Sequence, residues 1–279
     1  MGPVSGQTLV WILVAAAVAA LLVGLNAEHH RRREQQAALG RFVARHPGWH
    51  LQAWPCGVPV EQLAGRFDAT PRGDRHHGVQ AAVGGPTTVT IAGRQVTCQA
   101  ACLVWFHEQR RRNRSSGPGR SVGTSYERRT ELLVMCRLPA PARRAVTVRP
   151  ATALGRVGLS RTGAQLESEA FNRRFHVDGE DPALVVTMLD AGLQSLLVAE
   201  YGGRGLELSD DLLVLSGEPT HRDRTLAGVV QAYPAILQDL TRLLRALSPS
   251  FWRTLGADLP TDADAGGPPP VPRPFTEDR

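Results

Sequence analysis

The residues able to act chemically on another molecule are few, and their spacing rarely groups them usefully. Glu167, Glu169 and Asn172 fall close together, with His176 shortly after. Two carboxylates near an imidazole are the components of general acid–base catalysis. No nucleophile joins them, and Arg173 and Arg174 stand ready to pair with the carboxylates instead. His107-Glu108 opens like a zinc-protease helix but continues Gln109-Arg110-Arg111, so the second histidine ligand is missing. His29-His30 and His76-His77 are adjacent pairs, and neighbours on a strand point to opposite faces. Neither pair has a third ligand at metal-binding spacing.

The other signatures fail in the same way. Gly117-Pro118-Gly119 followed by Gly123 is not the dinucleotide fingerprint, and no GxSxG occurs. The chain contains no lysine at all, which removes Walker-A phosphate binding, pyridoxal Schiff bases and lysine general bases. Arginine in place of lysine, with abundant Ala, Gly and Pro, reads as the coding bias of a GC-rich bacterial genome. Four cysteines, Cys56, Cys98, Cys102 and Cys136, show no CxxC spacing. Cys98 and Cys102 share a strand face but stand roughly 13 Å apart, too far to pair or to share a metal. Small buried hydrophobes is the reading they support. No catalytic, metal-ligating or cofactor-binding residue is assigned, and no cofactor is expected.

What remains is charge. The net charge is +6, carried by arginine, and the arginines cluster. Arg31, Arg32 and Arg33 form one run. Between Arg110 and Arg129 lie seven more, including Arg110, Arg111, Arg112 and Arg114, among Ser, Gly and Pro. That stretch reads as a long hairpin loop. These residues suit a membrane surface or an acidic partner: anionic headgroups, or an acidic membrane-proximal protein. Interleaved aromatics for base stacking are missing, which disfavours nucleic acid.

The elements that must position these groups begin with an anchor. No charged side chain occurs from Met1 to Ala27, and Leu9 to Leu25 is an apolar run of seventeen residues. At about 1.5 Å per residue this barely spans a hydrocarbon core of roughly 30 Å. Arginine follows the run and none precedes it, so the positive-inside rule places the C-terminal part in the cytoplasm. A cleaved signal peptide with an exported domain is the rival, but the basic n-region is absent and Leu25 occupies a cleavage-site position that favours small residues.

Four segments follow: 1–27 as transmembrane anchor, 28–48 as juxtamembrane helix and linker, 49–256 as a soluble α+β domain, and 257–279 as a Pro-rich disordered tail. Gln35, Ala38, Leu39 and Phe42 form the inner stripe of the juxtamembrane helix. Residues 65–86 read as loop or irregular strand. Thr87 to Ile91 and Val96 to Phe106 read as a hairpin turning at Ala92-Gly93-Arg94, Thr124 to Leu138 as a further strand, and Ala145 to Val148 as a short one. Glu169 to Val177 is read as a strand with Phe171, Phe175 and Val177 inward. Asp181 and Pro182 begin a helix running to Ala199, Leu206 to Leu215 is a hairpin turning at Asp210-Asp211, and Arg222 to Leu247 is a helix that Pro234 must kink or split. The expected fold is α+β: an N-terminal transmembrane helix, then a mainly antiparallel sheet with two helices in the C-terminal half.

Leu166 to Leu197, with FVARHPGW (Phe42 to Trp49), GRF (Gly65 to Phe67) and LELSDDLLVL (Leu206 to Leu215), resembles a family of uncharacterised actinobacterial membrane-anchored proteins. Its members have a transmembrane helix followed by a domain of unknown function. ESEAFNRRF (Glu167 to Phe175) is the most specific piece, and the likeness covers roughly residues 35 to 245. The Arg-rich stretch departs from the family, so the resemblance implies an architecture and no activity. The expectation is a single-pass, membrane-tethered binding or interaction module. An enzyme using Glu167, Glu169 and His176 is one alternative, and an exported envelope component is another.

Overall fold

The computed structural model describes residues 6–52, 54–112, 124–142, 144–151, 164–216 and 230–256. Among them the fold is α+β, with an eight-stranded, mainly antiparallel sheet and eight helices, counting one 3-10 turn. The strand order is β1-β2-β3-β4-β8-β7-β5-β6. The chain forms two compact units. One comprises Met1–Pro86, Gln99–Met135 and Val214–Asp239, the other Thr87–Cys98, Cys136–Leu213 and Leu240–Arg279.

The first unit opens with α1 (Gly6–Arg45), a single helix where the sequence suggests an anchor followed by a separate juxtamembrane helix. Helix-forming Ala, Glu, Gln and Arg continue through residues 26–37, and no Pro or Gly there stops the helix. It ends where His46-Pro47-Gly48 supplies a proline and a glycine at φ 82°. Its described apolar side chains differ by position. Trp11, Val14, Val18, Leu21, Leu22, Val23 and Leu25 are exposed, while Ala38, Leu39 and Phe42 are buried. Among the described residues no single helix is long and apolar enough to cross a membrane; the apolar helical stretch there is Val14–Ala27.

β1 (His50–Leu51) pairs antiparallel with β2 (His77–Ile91), matching His50 to Gly84 and Leu51 to Val83. β2 thus begins well before Thr87, inside the stretch expected to be irregular. The glycines there are close approaches within a strand: a Cβ on Gly84 would enter the Gln52 side chain, and one on Gly85 would enter the Trp49 ring. β3 (Arg94–Arg112) and β4 (Thr124–Arg137) follow. Ala100 to Trp105 are buried without alternation, so β3 is covered on both faces there. The Cys102 thiol reaches the Tyr233 carbonyl at 4.0 Å, whereas Trp105 Nε1–H donates to the Pro71 carbonyl at 3.2 Å. Residues of opposite parity therefore meet different covers. One cover contains the 3-10 turn Pro55–Gly57 and α2 (Val60–Leu63), tied down by buried Thr70, whose hydroxyl donates to the Leu63 carbonyl at 2.6 Å.

In the second unit, β5 (Val146–Pro150) pairs antiparallel with both β6 (Phe175–Gly179) and β7 (Leu206–Ser209). The expected strand from Glu169 instead begins as α3 (Glu169–Arg174). Ser168 caps it, accepting from the Phe171 N–H at 3.2 Å, and Glu169 pairs with Arg173 one turn on at 2.6 Å. Phe171 on the helix stacks with Phe175 at the start of β6 at 5.0 Å between centroids, and Phe175 and Val177 face inward on the strand as expected. The expected helix to Ala199 is two, α4 (Pro182–Met188) and α5 (Ala191–Glu200), bent by 65°. Asp190 makes the break by capping α5, accepting from the Leu193 N–H at 2.8 Å. This bent pair is long and apolar enough to span a bilayer by composition, but Leu184, Val185, Met188, Leu193 and Leu197 are buried core residues.

β8 (Leu212–Ser216) completes the expected hairpin after Asp210, at φ 50°. The last long helix, α6 (Tyr233–Ala246), contains Pro234 in its first turn, where the missing N–H has no intrahelical partner to lose. Residues 230–231 are helical and Ala232 is a turn, so the stretch is split just ahead of Pro234, as expected; the portion from Arg222 to Val229 lies outside the described residues. α7 (Pro249–Thr254), capped by Ser248, has no counterpart in the expected fold. The Pro-rich tail lies outside the described residues.

Candidate partner-contact surface

The strands β3 and β4 extend past the covered part of the sheet. From Thr124 to Thr130 every residue of β4 is exposed, and so are Arg110 and Arg111 on β3. Successive strand residues face opposite sides, so this is a two-stranded ribbon bare on both faces. The sequence reads Arg110 to Arg129 as one loop. In the structure Arg110, Arg111 and Arg112 belong to β3, while Arg128 and Arg129 belong to β4. Strand pairing continues because β-branched and aromatic residues persist on the β4 side (Thr124, Tyr126, Thr130).

An isolated two-stranded ribbon is marginal in water. This one is braced by its own polar groups. Asp74 accepts the Arg110 backbone N–H at 2.7 Å, and the Arg110 guanidinium donates to the Thr124 hydroxyl at 3.2 Å. Glu127 lies 3.7 Å from Arg111 and 3.8 Å from Arg129. The Arg128 guanidinium sits 3.9 Å from the Phe106 ring centroid, and that of Arg75 5.5 Å from Tyr126. Phe106, Tyr126 and Arg75 are the members of this surface that sequence reasoning missed. The available signal is Tyr126, an aromatic among the charges of β4.

Among the described side chains, Asp74, Glu108, Glu127 and Glu131 nearly balance Arg75, Arg110, Arg111, Arg128 and Arg129, and Arg112, Arg114 and Arg120 of the same segment add three further positive charges. These pairs are exposed, so each contributes at most about 1 kcal/mol and yields readily to a better-placed anion. Of the other assigned residues, Arg33 is exposed on α1. The side chains of Arg31, Arg32 and Arg112, and all of Arg114, lie outside the described residues.

The carboxylates and imidazole of the enzymatic alternative have separate partners. Glu169 pairs with Arg173, while His176 Nε2 lies 3.1 Å from Asp178, which also holds Arg149 at 3.0 Å. Glu167 is exposed at the foot of α3. His107 is buried at the base of the ribbon with Nδ1 lacking a hydrogen-bond partner; burial and then nearby Arg129 hold its pKa below the usual imidazole value. All four cysteines are buried thiols. Among the described residues no three His, Cys, Asp or Glu side chains are grouped to hold a metal ion.

No protein-family model, curated protein or solved structure matches this chain.

Proposed function

We propose that the chain is a single-pass membrane protein whose globular part is an interaction module, held above the cytoplasmic face of the bilayer by a helical stalk. The supporting observation is the asymmetry of α1. Its first half exposes Trp11, Val14, Val18, Leu21, Leu22, Val23 and Leu25, and its last turns bury Ala38, Leu39 and Phe42. An apolar helix surface of this extent is costly in water and favourable in lipid. Added to the sequence run from Leu9, the helix reaches the length a thin hydrocarbon core demands.

The same helix sets a height. From Leu25 to Ala38 the axis rises about 20 Å at about 1.5 Å per residue. Arg31, Arg32 and Arg33 follow Leu25 by about 9–12 Å, which is headgroup depth, and there each adds about 1 kcal/mol of attraction to an anionic leaflet. The β3–β4 ribbon is the contact surface for an acidic membrane-proximal protein. Tethering confines both partners to the membrane and raises their effective concentration.

The test is alkaline carbonate extraction of membranes carrying the full chain, with a compartment-sensitive reporter after Arg279. The wild type should stay in the pellet with a cytoplasmic signal, and Leu21→Arg/Leu22→Arg should move to the supernatant. A wild type that extracts freely overturns the anchor, and an extracytoplasmic signal overturns the orientation.

A further inference from the structure

We propose that Cys98 and Cys136 are an oxidisable pair that closes into a disulfide joining β3 to β4. The two strands are neighbours in the sheet. Arg110 meets Thr124, Arg128 lies over Phe106, and the Cys56 thiol reaches the carbonyls of both Gln99 and Met135. Each step back along β3 is matched by an equal step forward along β4, so all three contacts fall in one antiparallel register. Cys98 and Cys136 fall opposite each other in that same pairing. Directly opposed residues have Cβ atoms about 4.5–5.5 Å apart. A disulfide needs roughly 3.5–4.5 Å, which a small inward adjustment of two strands supplies.

The Cys136 thiol also reaches a carbonyl, that of Arg137 at 3.9 Å, but what sets the pair apart is that the other two cysteines have no cysteine opposite them on a neighbouring strand. The Cys56 thiol points at backbone carbonyls, Gln99 at 3.5 Å and Met135 at 3.8 Å. Cys102 points at the Tyr233 carbonyl, and burial, then nearby Cys56, pushes its thiol pKa upward. Cys98 moves the other way: the hydrogen bond from Cys136 holds it below the ordinary thiol value, outweighing its burial. The thiolate is the attacking species in disulfide exchange, so Cys98 is the first nucleophile. Both thiols are buried, so a reagent reaches them only through local opening of the strand pair.

The oxidant is a disulfide, of protein or low molecular weight. The Cys98 thiolate attacks one of its sulfurs and displaces a thiolate, giving a mixed disulfide. Cys136 then loses its proton, attacks the Cys98 sulfur and displaces the second thiolate. Two cysteine thiols are oxidised, one external disulfide is reduced to two thiols, and the two protons leave on those thiols. In a cytoplasm the glutathione poise keeps such a pair reduced, whereas an oxidising compartment closes it.

The experiment uses the full chain in detergent, incubated with oxidised glutathione, denatured, alkylated and analysed by intact mass and non-reducing peptide mapping. The expected result is alkylation at two of the four cysteines, Cys56 and Cys102, with a linked pair of peptides carrying Cys98 and Cys136. Cys98→Ser should lose the link and leave Cys136 open to alkylation or to a glutathione adduct. Four alkylated cysteines, a link through Cys56 or Cys102, or glutathione adducts on the wild type without a link would each overturn the proposal.

Discussion

Trp49 lies directly on Gly85. A Cβ on that glycine would stand 2.6 Å from two ring carbons of Trp49 and 2.8 Å from its Cα, while the indole N–H donates to the next carbonyl, Pro86, at 3.1 Å. The chain leaving α1 is fastened to β2 at this point. Gly85→Ala should therefore destabilise the protein by about 1–3 kcal/mol, the usual cost of overpacking. Thermal unfolding in detergent measures it, and an unchanged midpoint would show that Trp49 moves aside freely.

The β2–β3 turn predicts a change of opposite sign. Ala92 and Gly93 both have positive φ, 47° and 79°, as a two-residue hairpin turn requires. Alanine is a poor occupant, since its Cβ in the left-handed region costs about 1–2 kcal/mol. The site is exposed, and the hydroxyls of Thr88 and Thr97 meet across the strands at 2.9 Å, so the register is already fixed. Ala92→Asn should stabilise the protein by about 0.5–1 kcal/mol, read as a higher denaturant midpoint at unchanged slope.

How far the sequence reveals this fold depends on whether the deciding partner is local. The β7–β8 hairpin is legible because Asp210-Asp211 punctuates two apolar runs, and the start of α4 because Asp181-Pro182 is a complete cap signal. Asp190 is the same signal inside an apolar run, where it passes for the solvent side of one long helix. Phe171, Phe175 and Val177 satisfy strand spacing, and the last two do lie inward on β6; the Ser168 cap turns only the stretch carrying Phe171 into a helix. Gly84 and Gly85 look like a loop because the groups that need their missing side chains, Gln52 and Trp49, are distant in sequence. At the candidate surface the arginines are legible but their ion pairs are not. Glu127 reaches Arg111 as well as Arg129 of its own strand only because β3 and β4 stay paired beyond the core, and the contact of Phe106 with Arg128 likewise requires that ribbon.

His107 makes stability depend on pH in one direction. Its pKa in the folded protein lies below the ordinary value of about 6.5, because burial and Arg129 disfavour the charged form. Above that value both states are neutral at this site and its contribution is intact. As pH falls below it, the unfolded chain takes up the proton first, and stability drops until the folded pKa is passed. His107→Leu should flatten the stability-versus-pH curve below about pH 6.5 relative to the wild type, measured by denaturant midpoints across that range. Parallel curves for the two proteins would remove His107 as the source.

The coupling of the helix to the globular part rests on Phe42. Its ring stacks on His46 at 4.1 Å and meets Trp49 and Tyr233 edge-on at 5.6 and 5.5 Å. The His46 ring N–H in turn donates to the Phe42 carbonyl at 2.8 Å, closing the end of α1. Tyr233 extends the chain of contacts to β2, its hydroxyl donating to the Ala81 carbonyl at 3.3 Å. Phe42→Ala removes the ring at the centre of this cluster, a change that costs about 3–5 kcal/mol in a well-packed core. The apolar first half of α1 is untouched by it. Membrane retention should therefore be unchanged, while protease cleavage between Arg45 and Leu51 should accelerate as the last turn of α1 detaches. Limited proteolysis on membranes, read alongside carbonate extraction, separates the two effects. Unchanged cleavage would mean that Ala38, Leu39 and Trp49 hold the helix end without Phe42.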